Sequence, residues 1–467
     1  MQRALAFDRS PPLFVAFRFF LNVPVFILLA AFAAGWLAVS GGPYARWSPP
    51  VLAATHLLTL GVLASAMLGA MMQILPVAAH IHVLQPRITS IVVHAALTLG
   101  ALSLAWGFIS AQPTFHGAAV LLLACAFLVF LLAVTGGLAR DSRRRSPGSG
   151  EILVAVRLAL LALAVTIIVG LFMAGLRARF WSPGDTAGIW LHTLPDVHAL
   201  WGLAGWVGLL VMGISFQVIP IFQATEVYPQ RLTHTLAPLI FLLLTILTLG
   251  GAWRAEPGTA TLLRALPATL LALGYVLYGT VTARLLWTRK RPAPEPTTWF
   301  WHTGMAALVL AALLGVAYTW LSPGPWGASQ HDTIQMLLGT LIVPGFAVSA
   351  VNGMLYKIVP FLLWHNAQRQ APMALPFMPK VKQFISERDA MRQYAAHLCA
   401  IVLLTASCLA PILLLPAAAA LAVSGSLLGW NIAKALRLYT RTCRRIAEVM
   451  RSQSNAATSK GGSSMRS

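Results

Sequence analysis

The chain has 467 residues, of which 58% are hydrophobic and only 10% are charged. A soluble globular domain carries roughly 25% charged residues, so this composition excludes an ordinary soluble protein and indicates an integral membrane protein. The net charge of +21 does not indicate a nucleic-acid partner, because the basic residues cluster in alternate connections between apolar stretches.

Twelve apolar stretches follow one another along the chain, each long enough to cross a bilayer as a helix of about 20 residues. The connections after the even-numbered stretches are basic, as at Arg143–Arg145 and Arg289–Arg291. Because Arg and Lys concentrate in cytoplasmic loops, we predict a multi-pass protein of the bacterial inner membrane with both termini in the cytoplasm. Residues 1–445 are predicted to form one twelve-span domain in the lipid bilayer, and residues 446–467 a disordered cytoplasmic tail.

The first block of four spans covers about residues 12–138. Its second span contains the run THLLTLGVLASAMLGAMMQILP, from Thr55 to Pro76. His56 is predicted to lie on the periplasmic side of this span, whereas the Pro76 end lies near the cytoplasm. His116 falls at the periplasmic start of the fourth span.

The second block covers about residues 152–288 and the third about residues 299–440. In the second block a tryptophan-rich periplasmic connection brings His192 and His198 to the start of span six. In the third block span ten begins at His331, also on the periplasmic side. The five periplasmic-side histidines therefore come from all three blocks.

The second span of each block carries one signature of two glycines, a Gln or Lys, and a proline. Its members are Gly61, Gly69, Gln73 and Pro76; Gly205, Gly213, Gln217 and Pro220; and Gly345, Gly353, Lys357 and Pro360. From Gln73 to Gln217 is 144 residues, and from Gln217 to Lys357 is 140. Such periodic self-similarity predicts three similar four-helix arcs in one orientation, related by rotation about an axis along the membrane normal.

The signature residues share one face of an α-helix that turns by about 100° per residue. Small residues on one face let membrane helices approach closely, so we expect the glycines to pack against a neighbouring helix. On the same helical wheel His198 and His331 lie near the glycine face, and His56 lies on the far side. The three histidines therefore need not share one cavity.

Twelve spans in three arcs, with histidines in the outer half of spans two, six and ten, resemble the catalytic subunit of the haem-copper oxidases. The runs THLLTLG and DVHALWGLAGWVGLLVMG are also similar to histidine-bearing segments of C-type oxidases and of the NnrS family of haem-copper membrane proteins. The resemblance implies haem b as a cofactor, with His56, His198 and His331 as the cofactor-binding candidates. It implies copper as a further cofactor, with His116 and His192 as metal-ligand candidates.

The chain departs from the oxidase pattern at span seven, where His234 on the inner side stands in place of paired adjacent histidines. The resemblance therefore implies a degenerate member that works with a redox partner or other respiratory subunits in electron transfer, or in handling NO, oxygen or copper. Whether it is an enzyme stays open; if it is, the reaction is an oxidoreduction of the haem-copper type.

Two other functions are compatible with the same residues. One is a transporter or channel without haem, whose inner-side polar path is formed by Gln73, Gln217, Asn352 and Lys357, since polar groups inside membrane spans often mark such paths. The other is a scaffold or assembly partner that keeps the fold but binds no metal.

Overall fold

The computed structural model of the protein describes residues 7–141, 150–182, 193–252, 257–291, 293–321, 328–370 and 378–463, and these ranges contain helices and no strands. Eleven of the helices are long and apolar enough to cross a membrane. The prediction of an all-α, multi-pass membrane protein is thereby confirmed.

The long helices in chain order are α1 (Leu13–Ser40), α2 (Pro49–Ala79), α3 (Pro86–Ser110), α4 (Pro113–Arg140), α5 (Gly150–Arg177), α6 (Leu194–Gln223), α7 (Gln230–Ala252), α8 (Pro257–Trp287), α9 (Pro296–Leu321), α10 (Gln330–Arg369), α11 (Glu387–Ser407) and α12 (Leu414–Ser463). Several of them begin at a proline, which suits the first helical turn because the missing N–H would have no partner there. The last helix, α12, continues to Ser463 and so enters the segment that the sequence predicts to be a disordered tail.

Helix α11 differs from the eleven apolar helices because its first turns are polar. It has 21 residues with Glu387 and Asp389 in the first turn, and the Ser386 hydroxyl accepts a hydrogen bond from the Asp389 N–H at 3.1 Å. It packs along α12 and buries His397, which is 1% exposed. The stretch that the sequence predicts as span eleven is therefore a helix, but it is too polar to be among the eleven candidate membrane-spanning helices.

The three matched helices, α2, α6 and α10, share an irregularity that the sequence did not predict. Each opens into a π-helical segment at the same place in the repeat, over Leu57–Ala64, Trp201–Gly208 and Leu341–Val348. A π-helical segment adds a residue to the turn and often marks a functional position. The segments begin 144 and 140 residues apart, so the sequence repeat is also a structural repeat.

The signature glycines pack against the first helix of their own block, as predicted. A Cβ added at any of the six would lie between 1.9 and 2.9 Å from a side-chain carbon of that helix. The carbons belong to Phe26 and Phe19 on α1, Ala162 and Ala155 on α5, and Ala307 and Phe300 on α9. Each pair is seven residues apart, so the same two-point contact recurs in all three blocks.

The last helix of each block packs against the first helix of the next block. Helix α4 packs on α5, α8 on α9, and α12 on α1. The matched helices lie inside this ring, since the π-helical segment of α10 contacts those of α2 and α6. The interior is therefore built from α2, α6 and α10.

Candidate metal centre between two histidines

His56 is the last residue of α2 before the π-helical segment. Its Nδ1 lies 2.8 Å from the carbonyl oxygen of Leu52, one turn earlier. A carbonyl oxygen can only accept, so Nδ1 carries the proton and donates. The lone pair of the neutral imidazole is therefore on Nε2, which is the form that binds a metal.

His198 lies near the start of α6 and is oriented by α5. Its Nδ1 donates to the carbonyl oxygen of Thr166 at 3.0 Å. Gly170, one turn further along α5, makes room for the ring, because a Cβ there would lie 2.7 Å from Cε1 of His198. The Nε2 lone pair of His198 is thus presented in the same way as that of His56.

The imidazoles of His56 and His198 are neighbours across the α2–α6 interface. Their centroids are 6.3 Å apart and their planes differ by 18°. Two metal–nitrogen bonds of about 2 Å, plus roughly 1.1 Å from each nitrogen to its ring centre, give about 6 Å for imidazoles on opposite sides of one metal. The distance between the two ring centres therefore matches that of two imidazoles holding one metal, which would also need both Nε2 atoms to point at it.

His116 lies close to this pair but behind an aromatic ring. It is 2% exposed, its Nδ1 is 3.2 Å from the Gln112 carbonyl oxygen, and its Nε2 has no hydrogen-bond partner in the described part of the chain. The ring of Phe108 lies 5.1 Å from that of His56 and 5.4 Å from that of His116, between centroids. Phe108 thus separates His116 from the pair.

His331 is not part of this arrangement. The Nδ1 of His331 is 3.1 Å from the hydroxyl of Tyr318 on α9, and His192 lies outside the described residues. Within the described ranges, no three His, Cys, Asp or Glu side chains are placed to hold a metal ion together. Of the four candidate histidines that the structure describes, it brings together His56 and His198.

Positive charge lies beside the pair. The guanidinium of Arg177, at the end of α5, lies 5.4 Å from the centroid of the Phe108 ring. Arg46, in the α1–α2 connection, pairs at 2.6 Å with Asp196 at the start of α6. Sequence reasoning missed Phe108, Thr166 and Arg177, because no motif marks them and only their position in space connects them to the histidines.

Two of the four polar residues that the sequence assigns to a transport path contact the chain just before the first helix of their block. Gln73 donates to the Ser10 hydroxyl at 3.2 Å, just before α1, and Lys357 pairs with Glu295, just before α9. Gln73 and Lys357 occupy the same place in the repeat, so both tie a matched helix to the start of its block's first helix. These contacts indicate a structural role for Gln73 and Lys357, whereas the buried side-chain amide of Asn352 has no hydrogen-bond partner in the described part of the chain.

The Glu295 carboxylate is held in its charged form. Burial would raise its pKa, but the hydrogen bond and charge of Lys357, together with the charge of Lys382 at 3.4 Å, outweigh burial and lower the pKa below its ordinary value. Opposite charges within a few ångströms favour the ionised carboxylate. The connection before α9 therefore holds a partly buried ion pair with α10.

Two histidines, the buried His397 and the half-buried His94, lie on the third helices of the last and first blocks. His397 Nε2 is 2.8 Å from the Ser349 hydroxyl. His94 Nε2 is 3.1 Å from the Asn22 side-chain oxygen, and the Asn22 amide donates to the Ser65 hydroxyl at 3.2 Å. Ser65 on α2 and Ser349 on α10 occupy the same repeat position. The first and third blocks therefore each have a polar contact to the matched helix at this position.

Comparison with known proteins gives no further constraint. No protein-family model matches the chain, and no curated protein matches it.

Proposed function

We propose that the protein is a haem-binding integral membrane protein related to subunit I of the haem-copper oxidases, in which His56 and His198 would hold a haem b. The observation that carries this is the pair of near-parallel imidazoles 6.3 Å apart. The Nδ1 of each ring donates a hydrogen bond to a backbone carbonyl. Nε2 is therefore the nitrogen of each ring that could bind a metal.

The residues around the pair have roles that fit such a site. A haem held by two imidazoles supplies reversible one-electron transfer. The carbonyls of Leu52 and Thr166 fix the tautomer and the plane of each ring, and hydrogen bonds of this kind raise the basicity of a ligating imidazole. The guanidinium of Arg177 supplies positive charge of the kind that pairs with carboxylate groups.

Electron transfer in the bacterial inner membrane, with a redox partner or another respiratory subunit, is the role that this ligand set supports best. Two neutral imidazoles are also a good ligand set for copper. Handling of NO, oxygen or copper at the same pair is therefore the second role, and metal analysis separates it from haem binding.

We further propose that twelve helices cross the membrane in three arcs, with both termini in the cytoplasm. Support comes from the contacts at the two ends of α11. Ser407 lies 3.1 Å from the Tyr44 hydroxyl in the α1–α2 connection, whereas Lys382, just before α11, pairs with Glu295 just before α9. In the proposed topology these two connections lie on opposite sides of the membrane, so α11 crosses it.

A cysteine-labelling experiment tests this topology. Leu409, which is 73% exposed, is replaced by cysteine in a variant that lacks the four native cysteines. A membrane-impermeant maleimide added outside the cell should label it, and a cysteine at Arg388 should react only after lysis. Labelling of both positions from the same side would exclude α11 as a span.

Optical spectra of the purified protein test the haem proposal. Oxidised and dithionite-reduced wild-type protein should show the sharp reduced bands of a low-spin haem, and His56→Ala and His198→Ala should both lose them. His331→Ala is the matched control and should keep them, because His331 contacts Tyr318 instead.

A featureless spectrum from folded, haem-replete protein would overturn the haem proposal. If copper then binds and depends on both His56 and His198, the pair is a copper site. If neither binds, the pair is not a metal centre.

A further inference from the structure

The interior of the third block holds two buried carboxamides that are not fully hydrogen-bonded. Asn352 on α10 is 0% exposed, and neither its Nδ2 nor its Oδ1 has a hydrogen-bond partner in the described part of the chain. Gln393 on α11 is also 0% exposed. Its Nε2 donates to the Ser424 hydroxyl on α12 at 2.9 Å, whereas its Oε1 has no partner among the described residues.

Asn352 is on the side of α10 that faces α12. Tyr356 and Asn366 on α10 both bond to α12, through Asn431 at 3.0 Å and Tyr439 at 2.6 Å. At about 100° per residue, Asn352 lies between Tyr356 and Asn366 on the helical wheel, within about 40° of each. The unpaired carboxamide of Asn352 therefore points toward α12.

Gln393 approaches α12 close to the level of Asn352. The two bonds from α10 to α12 advance along both helices together, so the helices are parallel. Asn352 lies four residues before Tyr356, and Ser424 lies seven before Asn431. At a rise of about 1.5 Å per residue, Asn352 and Ser424 are within about one helical turn of each other along the bundle. Three unpaired amide atoms thus come together between α10, α11 and α12.

An open pocket lies one turn away from this site, at the end of the block that carries the Lys357–Glu295 pair. Tyr356 lines the pocket, and its hydroxyl accepts the hydrogen bond from Asn431. The other polar side chains of the lining are Glu295, Thr297, Lys357, Lys382 and Glu387. Tyr356 therefore connects the polar pocket with the buried carboxamides.

The other two blocks differ at the same repeat position. Asn352 corresponds to Leu68 on α2 and Met212 on α6, which are apolar and also 0% exposed. The first block does contain a carboxamide, Asn22, but both ends of that side chain bond to other side chains. Unpaired carboxamides at this level are therefore a feature of the third block and not of the repeat.

We propose that Asn352 and Gln393 bind ordered water molecules, which reach them through the pocket beside Tyr356. A carboxamide offers two donors and two acceptor lone pairs, and buried polar groups in proteins are paired with protein atoms or ordered water. A buried water needs about two to four polar partners, which the three unpaired atoms supply. Asn352, Gln393 and Ser424 carry no charge, so the site does not suit an ion.

A high-resolution cryo-EM map of the full chain in lipid nanodiscs tests the proposal. Water peaks are expected at about 2.7–3.2 Å from the Asn352 carboxamide and from Gln393 Oε1. The side chains of Leu68 and Met212 are controls in the same map and should have no such peaks. Asn352→Leu, which places on α10 the residue of α2 at this repeat position, should lose the peak at residue 352.

Thiol reactivity tests whether the site is open to solvent. Asn352→Cys and Met212→Cys are made in a variant that lacks the four native cysteines, and both are treated in nanodiscs with a small water-soluble methanethiosulfonate. Met212→Cys is the matched control, because it has the same repeat position and the same burial. Asn352→Cys should react, and Met212→Cys should not.

Four results would overturn the inference. They are a map that resolves other internal waters but none at Asn352 and Gln393, protein partners for all three unpaired atoms, a peak that persists in Asn352→Leu, or Asn352→Cys no more reactive than Met212→Cys. None of them depends on haem, so this site and the metal centre are tested separately.

Discussion

The contact between Gly213 on α6 and Ala155 on α5 gives the sharpest test of the repeated packing. In Gly213→Ala the added Cβ would lie 2.5 Å from the Cβ of Ala155. Carbon atoms at an optimal contact are about 3.5–4.0 Å apart. Neither Cβ can rotate away, so the two helices must separate by about 1 Å.

The expected change in stability follows from two opposing effects. Overpacking of this kind costs about 1–3 kcal/mol. Replacing Gly by Ala within a helix stabilises it by about 0.5–1 kcal/mol. We therefore expect Gly213→Ala to lower the free energy of unfolding by about 1–2 kcal/mol.

Gly339→Ala on α10 is the matched control, because a Cβ there would meet nothing within 4 Å. It should stabilise the protein by up to about 1 kcal/mol, since only helix propensity changes. The assay is SDS-induced unfolding in mixed micelles, followed by circular dichroism for both variants and the wild type.

A double variant isolates the contact itself. The double variant Ala155→Gly/Gly213→Ala moves the methyl group from α5 to α6 and so avoids the clash. Its free energy of unfolding should exceed the value expected from adding the two single-variant effects by about 1 kcal/mol. The reasoning is wrong if Gly213→Ala is as stable as Gly339→Ala, or if the two single effects simply add.

Three further predictions concern the two ends of the bundle. Gly170→Ala should displace the His198 ring, because its Cβ would lie 2.7 Å from Cε1, and so shift or weaken the reduced bands of the proposed haem; an unchanged spectrum in folded protein would contradict this. The pKa of Glu295 is lowered in the folded protein, so its contribution to stability is present at neutral pH and is lost as the pH falls through that pKa. Lys357→Met should raise this pKa, so that the acid-unfolding midpoint measured by fluorescence moves to higher pH; a midpoint equal to the wild type's would argue against the ion pair. Asp196→Asn should change the unfolding free energy by less than about 1 kcal/mol, because the Asp196 side chain is 67% exposed; a larger loss in the SDS assay would show that the pair with Arg46 is stronger than its exposure implies.

The sequence by itself determined the features that depend on local composition and spacing. Apolar stretches of sufficient length form helices in a bilayer whatever their neighbours, because every backbone polar group is satisfied within the helix. The signature glycines were also predicted correctly as a packing face, because a residue without a side chain allows close approach wherever the partner helix comes from. Helix α11 was recognisable in the same way despite the polar residues of its first turn.

Only the tertiary structure decided which histidines meet. On ideal helical wheels His56 and His198 lie on opposite sides relative to the glycine face, which suggested separate surroundings. When three similar blocks surround one axis, each matched helix contacts the preceding block with one side of its surface and the following block with the opposite side. Residues that meet between α2 and α6 must therefore lie on opposite sides, as these two histidines do.

The π-helical segments and the polar interior of the third block were also beyond the sequence. A π-helical segment is unfavourable in isolation and persists only where surrounding helices hold it. No local sequence pattern therefore predicts it. The polar interior depends on how α10, α11 and α12 are placed, because its residues come from three different helices. One chain therefore fixes its helices and their packing faces locally, whereas the pairing of its histidines and the surroundings of its buried carboxamides follow from how the helices are assembled.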